Sequence, residues 1–393
     1  MLVDNAFTED QRVRRAAGSL ARDGFDLTVL ALQGPALPEA ESVGGIRVRR
    51  VFSPAIFDVK RRSYLRSQAR RWAAEGFDVL HCHDHWMLGL GVRIKRLRPG
   101  TVLVYDSHEL FHGWPLNLGI DISRFTKCKS LLVRKYLTWR ERANARHLDH
   151  LITVSESIAE RLGEYFKLKT PPIVVRNLPA FEDCRSRGQL VRERFGIPPD
   201  HKVLVFIGAF LHARTLNIEA VIDEVGNAEK VALVLISGEG STKKEIVAHV
   251  ERRGHKNIFF HPRLAPEDIC AYLSSCDVGL VPTWNPGDLS YWLALDNKLF
   301  QYVMAGLPVL ATTQPEYRKV VERYGVGVCV NPGKAGAYLE GFRGILDSYA
   351  TFEQNVRRAK LLLNWEQEEH VLLEFYRMLE GEVRVRGSAH GAG

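Results

Sequence analysis

The sequence DNKLFQYVMAGLPVLA, residues 296–311, indicates a turn, a helix, a sharp stop and a buried strand, in that order. Gly306 and Pro308 end the helical pattern, because glycine favours the left-handed conformation after a helix and proline cannot continue one. The apolar run 309–311 then predicts a strand that is covered on both faces. A helix that leads directly into such a strand is the repeating unit of a parallel α/β sheet.

The same alternation of apolar strands and amphipathic helices extends through both halves of the chain. In the first half the predicted strands are Leu27–Leu32, Val48–Phe52, Val79–His83, Val102–Asp106, Leu151–Val154 and Ile173–Val175. In the second half they are Val203–Gly208, Val231–Ser237, Ile258–Phe260, Val278–Pro282, Val309–Ala311 and Gly327–Val330. Two such series predict two doubly wound, Rossmann-like α/β domains.

The boundary between the two predicted domains lies in the proline-flanked stretch 179–199. We therefore assign residues 1–180 to an N-terminal domain, 181–200 to a linker and 201–363 to a C-terminal domain. The tail from 381 to 393 is rich in glycine and is expected to be frayed. The start is unusual, because Met1–Val3 resembles only the end of a strand. Either the recorded start is late, or the first sheet is short at this point.

Composition indicates an ordinary globular protein, with 46% hydrophobic and 25% charged residues among 393. Apolar runs stay well below the roughly 18–20 residues that a membrane span requires. Acidic residues at positions 4, 9 and 10 interrupt any signal peptide. The six cysteines show no CxxC spacing, which favours a reduced, cytoplasmic protein.

Charge is distributed unevenly along the chain. Residues 1–180 contain 29 Lys and Arg against 19 Asp and Glu, whereas residues 181–393 contain 25 against 27. The basic half predicts an anionic surface or ligand near the first domain, and a solvated basic face is the alternative. The basic residues do not form a recognition helix or an RNP-type motif, so nucleic-acid binding is not expected.

Two polar clusters follow strands of the first half. His81-Cys82-His83-Asp84-His85 ends one strand, and Tyr105-Asp106-Ser107-His108-Glu109 ends another. Polar side chains at the carboxyl ends of parallel strands are expected to line a ligand-binding crevice. His108 beside Glu109 offers a general acid or base, or an oriented hydrogen-bond donor. Side chains alternate between the two faces of a strand, so His81, His83 and His85 would share one face. Metal binding is nevertheless the weaker interpretation, because consecutive strand residues rarely converge on one ion.

Phosphate-binding features lie in the second half. Gly208 ends one predicted strand and Gly238 follows the next, and glycine permits close approach of a ligand. The backbone amides at Asn297, Lys298 and Leu299 open a helix, where they suit a diphosphate, and Lys298 adds a positive charge. No complete G-x-G-x-x-G or P-loop motif is found, so a typical dinucleotide enzyme or P-loop NTPase is not expected.

These segments, in this order, resemble the GT-B glycosyltransferases, close to the retaining group 1 or family 4 enzymes. The resemblance rests on Asp10–Val13, His81–His83, Tyr105–Phe111, Ile152–Ser157, Val175–Pro179, Gly208–Arg214, Gly238–Gly240 and Asn297–Ala311. It implies two Rossmann-like domains that face each other across a cleft. It also implies that a last helix, 364–380 here, crosses back to the first domain.

The resemblance implies a role for individual residues. His108 matches the family's active-site histidine near the transferring sugar, with Glu109 beside it. The implied donor-binding residues are Gly208, Arg214, Gly238, Asn297, Lys298, Leu299 and Gln301. Candidate residues on the acceptor side are Arg12, His83 and His85. Since Arg214 and Lys298 could offset the charge on the leaving nucleoside diphosphate, no metal and no other cofactor is expected.

The sequence departs from the family pattern at two glutamates that many members carry eight residues apart. Leu293 and Gln301 occupy those positions here. Gln301 can still form hydrogen bonds to a ribose, whereas Leu293 cannot. Asp288 or Asp296 could supply a carboxylate from a shifted position.

The expected function is therefore retaining, metal-independent transfer of a sugar from a nucleotide donor to a hydroxyl acceptor. Family likeness favours a UDP- or GDP-linked donor and a glycan, polysaccharide or lipid-linked acceptor. A catalytically silent relative that binds a sugar nucleotide or glycan is an alternative, and so is a sugar-nucleotide epimerase of the same fold. The basic first half also predicts a cytoplasmic protein that binds the membrane peripherally.

Overall fold

The computed structural model describes residues 1–51, 59–113, 124–184, 189–209, 217–226 and 228–390. The chain divides into two compact units. The first unit comprises residues 1–112, 128–177 and 368–393, and the second comprises 113–127 and 178–367. The segment predicted as a linker thus belongs to the second unit, where it contains a short helix.

The strands are β1 Thr28–Leu32, β2 Ala40–Val43, β3 Ile46–Val51, β4 Val79–His83, β5 Val102–Ser107, β6 His150–Thr153, β7 Ile173–Val174, β8 Lys202–Ile207, β9 Val231–Ile236, β10 Ile258–His261, β11 Val278–Val281, β12 Val309–Thr312 and β13 Gly327–Val330. All twelve predicted strands are present within about two residues of their predicted ends. The strand β2, which pairs antiparallel with β3 and is largely exposed, was not predicted. Its side chains therefore lack the apolar pattern that identifies the buried strands.

The helices are α1 Gln11–Arg22, α2 Val59–Glu75, α3 Asp84–Leu97, α4 Arg124–Ala145, α5 Glu156–Phe166, α6 Leu190–Phe195, α7 Ile218–Val225, α8 Ser241–Arg253, α9 Ile269–Leu273, α10 Leu289–Trp292, α11 Asn297–Ala305, α12 Pro315–Tyr324, α13 Ala337–Asp347, α14 Tyr349–Lys360 and α15 Trp365–His390. Ser155 caps α5 as expected, since its side chain accepts a hydrogen bond from the backbone N–H of Ile158. Within the described residues, no helix combines the length and apolarity needed to cross a membrane.

The sheet of the first unit is completed by the first residues of the chain. Leu2 forms parallel bridges to Leu30 of β1 and to Cys82 of β4, and it thereby joins the β2-β3-β1 and β4-β5-β6-β7 sheets. The backbone N–H of Leu2 donates to His81 at 2.8 Å, and the N–H of His83 donates to Leu2 at 2.9 Å. Met1–Val3 therefore takes the central position that a first strand occupies in a doubly wound sheet.

The second unit contains one parallel sheet in the order β10-β9-β8-β11-β12-β13. If the strands of this unit are numbered along the chain, the order is 3-2-1-4-5-6. Strands β9 and β10 are added on one side of β8, and β11 to β13 on the other, so the strand order reverses between β8 and β11. Side chains of β8 alternate between two apolar cores, with Val203 and Val205 in one and Leu204 and Phe206 in the other. The sheet is thus covered on both faces, as its apolar strands predict.

Two expectations about covalent and terminal structure are wrong. A disulfide joins Cys184 and Cys270, which lie 86 residues apart in the sequence, so this pair is not reduced. The last helix continues to His390, well past the predicted frayed start at 381. Arg386 donates to Asp149 at 2.7 Å, and His150 lies 2.8 Å from Glu382, so contacts within the first unit hold this part of the helix.

Candidate active site

A buried ion pair forms the centre of the polar cluster in the first unit. Asp106, at the carboxyl end of β5, accepts hydrogen bonds from Nη2 of Arg12 at 2.8 and 3.0 Å and from Nε at 3.3 Å. Nη1 of Arg12 also donates to the carbonyl of Val175 at 2.8 Å. The pair links α1 to β5 and to the segment after β7.

Three histidines surround the same carboxylate. Oδ2 of Asp106 lies 3.5 Å from Nε2 of His81, 3.4 Å from Nδ1 of His83 and 3.5 Å from Nε2 of His108. The rings of His81 and His83 are stacked with centroids 4.3 Å apart, and Nδ1 of His81 lies 2.7 Å from the hydroxyl of Tyr376 on α15. Two strands, α1 and the last helix thus contribute side chains to one cluster.

His108 is held on its other side by Asp84, the first residue of α3. Oδ2 of Asp84 lies 3.2 Å from Nδ1 of His108, and Oδ1 accepts the backbone N–H of His108 at 3.3 Å. Nε2 of His108 lies 3.1 Å from Nδ1 of His83. Both ring nitrogens of His108 therefore have partners within the protein.

The environment assigns different charges to these histidines. Burial alone would lower the pKa of His108, but Asp84 and Asp106 raise it to about 10. Burial, together with the neighbouring His81, lowers the pKa of His83 to about 3. Although burial alone would raise the pKa of Asp106, Arg12 and His108 hold it well below its usual value. At neutral pH the cluster therefore contains a cationic His108 beside a neutral His83.

The predicted acceptor-side residues are almost completely buried. Arg12, His83 and His85 are 6%, 2% and 5% exposed. Arg12 and His83 contact Asp106, whereas the ring of His85 stacks on Phe111. His85 does not share a strand face with His81 and His83, because β4 ends at His83 and the helix α3 begins at the next residue. Glu109, in contrast, is exposed.

His81, His83 and Asp106 come close enough together to be considered as metal ligands, with their ligand atoms within 4.8 Å of one another. Arg12, however, already pairs with Asp106 through both carboxylate oxygens. A guanidinium in this position opposes a second cation at the same carboxylate. The arrangement favours an ion-paired cluster over a metal site.

The second unit gathers a charged cluster at the point where the strand order reverses. Nζ of Lys298 lies 2.6 Å from Oδ2 of Asp296, which also accepts the hydroxyl of Thr283 at 2.8 Å. Gly208 follows β8 with a φ of 152°, and a Cβ there would lie 3.1 Å from Cε of Lys298. Glycine at 208 thus allows Lys298 to lie across the end of β8. Although burial alone would raise the pKa of Asp296, Lys298 holds it below its usual value.

The helix α11 is anchored to the strand ends by Tyr302. Its hydroxyl accepts the backbone N–H of Ile207 at 3.0 Å and donates to the carbonyl of Leu280 at 3.0 Å. Gly279 is required beside it, since a Cβ at that position would lie only 2.2 Å from the ring of Tyr302. These contacts fix the amino end of α11 next to Gly208.

The other predicted donor residues differ in their placement. Asn297 is exposed and Gln301 is half-buried, while the side chain of Leu299 lies in the apolar core. Gly238 is exposed in the loop after β9. Arg214 lies outside the described residues.

Sequence patterns alone did not assign roles to Asp84, Thr283 and Asp106. Each follows or ends a strand of a parallel sheet, and that position was the available signal, because such ends meet at one edge. Of the two carboxylates considered as substitutes, Asp288 caps α10 by accepting the N–H of Tyr291 at 3.1 Å. Asp296 is the one that contacts Lys298.

Comparison with solved structures gives matches over almost the whole chain. Sucrose-phosphate synthase from Thermosynechococcus elongatus is 18% identical with a TM-score of 0.71, covering 94% of this chain and 92% of that one. HepE from Anabaena, solved in complex with UDP-glucose, is 15% identical with a TM-score of 0.70, covering 96% and 98%. WaaG, a glycosyltransferase involved in lipopolysaccharide biosynthesis, is 14% identical with a TM-score of 0.64, covering 94% and 97%. These likenesses show the two-domain α/β fold of the GT-B glycosyltransferases.

Family models match both parts of the chain. Among curated protein sequences, none matches it. The model of the glycosyl transferase 4-like domain matches residues 10–178, and that of the glycosyl transferases group 1 matches residues 201–348. The two matches follow each other in the order that the sequence resemblance predicts. The chain therefore contains a glycosyl transferase 4-like domain followed by a glycosyl transferases group 1 domain.

Proposed function

We propose that the protein transfers a sugar from a UDP- or GDP-linked donor to a hydroxyl group of a glycan, polysaccharide or lipid-linked acceptor. The observation that carries the proposal is the position of Lys298 at the amino end of α11, beside Gly208 and at the reversal point of the second sheet. Helix amino ends and lysines both favour diphosphates. UDP-glucose, the ligand in the HepE complex, is the donor to test first.

The contact of Lys298 with Asp296 also supports a role in diphosphate binding. Asp296 accepts a hydrogen bond from its ammonium group at 2.6 Å, and the lysine side chain is only 15% exposed. A diphosphate arriving at the helix end would meet a lysine that is already oriented, so little side-chain entropy would be lost on binding. Asn297, which is exposed at the same end, contributes a further backbone amide.

The proposed reaction is retaining and independent of metal ions. The support for retention is the family resemblance, and the support for metal independence is that Lys298, with Arg214, can offset the charge developing on the leaving diphosphate. NMR of the anomeric proton of the product tests retention, since the donor and product configurations should agree. Unchanged turnover after EDTA treatment is expected, and loss of turnover that Mg²⁺ or Mn²⁺ restores would contradict metal independence.

Products and binding separate the transferase from its two alternatives. Purified protein is screened against UDP- and GDP-sugars by thermal shift, and the stabilising donor is then incubated with and without candidate acceptors. A transferase releases nucleotide and forms a glycoside only when the acceptor is present. An epimerase converts the donor without an acceptor, and a silent relative binds the donor without turnover under any of these conditions.

We also propose that the first unit binds an anionic membrane surface through α4. Leu132, Tyr136 and Trp139, spaced to share one helix face, are 69%, 45% and 65% exposed. Lys135 and Arg142 are exposed beside them. Exposed aromatic and basic side chains on one helix are typical of binding to the interface of an anionic bilayer.

Other basic residues of the first half fall into two groups. Arg66, Arg70 and Arg71 on α2 are exposed. Lys60, Arg61 and Arg62, expected to contribute to the same surface, lie outside the described side chains. The support for a membrane therefore rests on α4.

Sedimentation with vesicles tests the membrane proposal. The protein should sediment with phosphatidylglycerol-containing vesicles and stay in solution with phosphatidylcholine vesicles. The double substitution Leu132→Ala and Trp139→Ala should reduce sedimentation. Leu362→Ala, which removes a leucine 55% exposed in the second unit, serves as the control and should not. Equal sedimentation with both vesicle types would remove the proposal.

A further inference from the structure

Asp84 has an unusual backbone conformation for its residue type. Its φ is 58°, in the left-handed region that side-chain-bearing residues adopt at an energetic cost. It lies where β4 gives way to α3, and both oxygens of its carboxylate face His108 of the neighbouring strand end. Strained residues of this kind persist where surrounding contacts require the conformation.

The contacts of Asp84 define the orientation of the His108 ring. Oδ1 accepts the backbone N–H of His108 and Oδ2 lies 3.2 Å from Nδ1, so one carboxylate fixes both the main chain and the ring. On the opposite edge, Nε2 lies 3.1 Å from Nδ1 of the neutral His83 and 3.5 Å from Asp106. With acceptors at both nitrogens, the ring is arranged as a double donor, which is the protonated form of histidine.

Charged or titratable groups on five elements lie at or near this ring. Arg12 on α1 pairs with Asp106 on β5, and Asp84 on α3 remains as the counter-charge of His108. His81 and His83 on β4 are neutral, because burial lowers the pKa of each. On α4, the pKa of Glu141 is raised to about 7 by burial, and its carboxylate accepts a hydrogen bond from the hydroxyl of Tyr105. The cluster thus balances two cations with two carboxylates.

We propose that Asp84 is a positioning residue that holds His108 in one orientation as a permanent cation in the glycosyltransferase site. His108 then contributes a fixed positive charge to the transfer reaction and does not exchange protons with substrate. This differs from the general acid or base that its position next to Glu109 suggests. The part of this inference that concerns sugar transfer rests on the proposed function. The protonation state of the His108 ring can be measured without any turnover.

The test compares Asp84→Asn with the unaltered protein. Asparagine keeps an oxygen for the backbone N–H of His108 and removes the charge, so a purely structural role should survive. The His108 Cε1–H resonance, assigned from its loss in His108→Gln, is followed by NMR from pH 5 to 10.5. Its pKa should fall from about 10 toward the ordinary value near 6.5 in Asp84→Asn. Asp26→Asn, at an exposed ion pair with Arg47, is the matched control and should leave the resonance unchanged.

The pH dependence of turnover gives the second readout. In the unaltered protein, the plot of kcat against pH should show no rise or fall due to His108 between pH 6 and 9. Asp84→Asn should lose kcat as the pH rises through the lowered pKa of His108, and low pH should restore it. If Asp84→Asn does not fold, as judged by circular dichroism, Asp84→Ser replaces it in both measurements.

The outcomes separate the two proposals. An unchanged His108 titration in the Asp84 variant overturns the positioning role, and so does a uniform drop in kcat with an unchanged pH profile. If the unaltered protein shows no transfer with any donor and acceptor, the proposed function fails, and the titration alone decides the role of Asp84.

Discussion

Asp106 is the residue on which the polar cluster of the first unit depends. The residue is 3% exposed, and its carboxylate is surrounded by Arg12 and three histidines. A charge buried to this degree is tolerated only when a well-oriented opposite charge compensates it. Arg12 supplies that charge, since the guanidinium donates to both carboxylate oxygens.

Replacing Arg12 by methionine should destabilise the first unit. The substitution keeps much of the side-chain volume and leaves Asp106 without its guanidinium partner, which should lower the free energy of unfolding by about 3–5 kcal/mol. Urea unfolding at pH 7 measures the loss. Arg14→Met on the exposed face of the same helix is the control and should change it by less than about 0.5 kcal/mol. Equal effects of the two substitutions would show that the buried pair is not structurally important.

The protonation of His108 predicts a dependence of stability on pH. Its pKa of about 10 in the folded protein exceeds the value of about 6.5 expected when unfolded. Because the pKa is raised on folding, protonated His108 contributes its full stabilisation below about pH 6.5. This contribution to the free energy of unfolding is lost as the pH rises through about 10. Between pH 7 and 10, the free energy of unfolding of the unaltered protein should therefore fall by about 2–4 kcal/mol more than that of His108→Gln. Parallel urea titrations at both pH values measure the difference, and identical losses would contradict a cationic His108.

At the scale of elements, α11 connects the charged cluster of Asp296 and Lys298 to the sheet. The hydroxyl of Tyr302 bonds to the ends of both β8 and β11, which is where the strand order reverses. The sequence predicted this helix and the strand after it, because the glycine and proline stop signals are strong. It could not predict the Tyr302 contacts, which join residues 95 and 22 positions apart.

Tyr302→Phe should weaken this connection. The substitution leaves the buried N–H of Ile207 and the carbonyl of Leu280 without the hydroxyl, so the free energy of unfolding should fall by about 1–3 kcal/mol. Tyr324→Phe, at a partly buried position on α12, is the matched control and should have a smaller effect. The comparison is made by urea unfolding monitored by tyrosine and tryptophan fluorescence. Indistinguishable stability of Tyr302→Phe and the unaltered protein would contradict the anchoring role.

The last helix shows where local sequence signals are insufficient. Glycine at 381 and 387 predicted a frayed tail, yet α15 runs to His390. Earlier in the helix, Glu368 accepts the backbone N–H of Arg176 at 2.6 Å and its Nε at 2.9 Å. Contacts with the first unit thus outweigh the helix propensity of individual residues, and such contacts cannot be inferred from one segment alone.

At the scale of the whole molecule, the fold was more predictable than the site. Apolar strands and helix stop signals are local, so the two α/β domains could be derived from the sequence. The site depends on pairs such as Arg12 and Asp106, which are 94 residues apart. Position at strand ends correctly brought His83 and His108 together, as well as Gly208 and Lys298. The sequence does not reveal which nitrogen of each histidine or arginine contacts which carboxylate.

The most direct test of the central claim is acceptor-dependent release of nucleotide by the unaltered protein and by Lys298→Ala. With the donor and acceptor identified by screening, the unaltered protein should release nucleotide and form a glycoside. Lys298→Ala should reduce kcat/KM at least about 100-fold, because it removes the charge that meets the leaving diphosphate. Lys334→Ala, at an exposed ion pair of the same unit, is the control and should leave kcat/KM unchanged. Unaltered turnover in Lys298→Ala would contradict the assignment of the donor site to the amino end of α11.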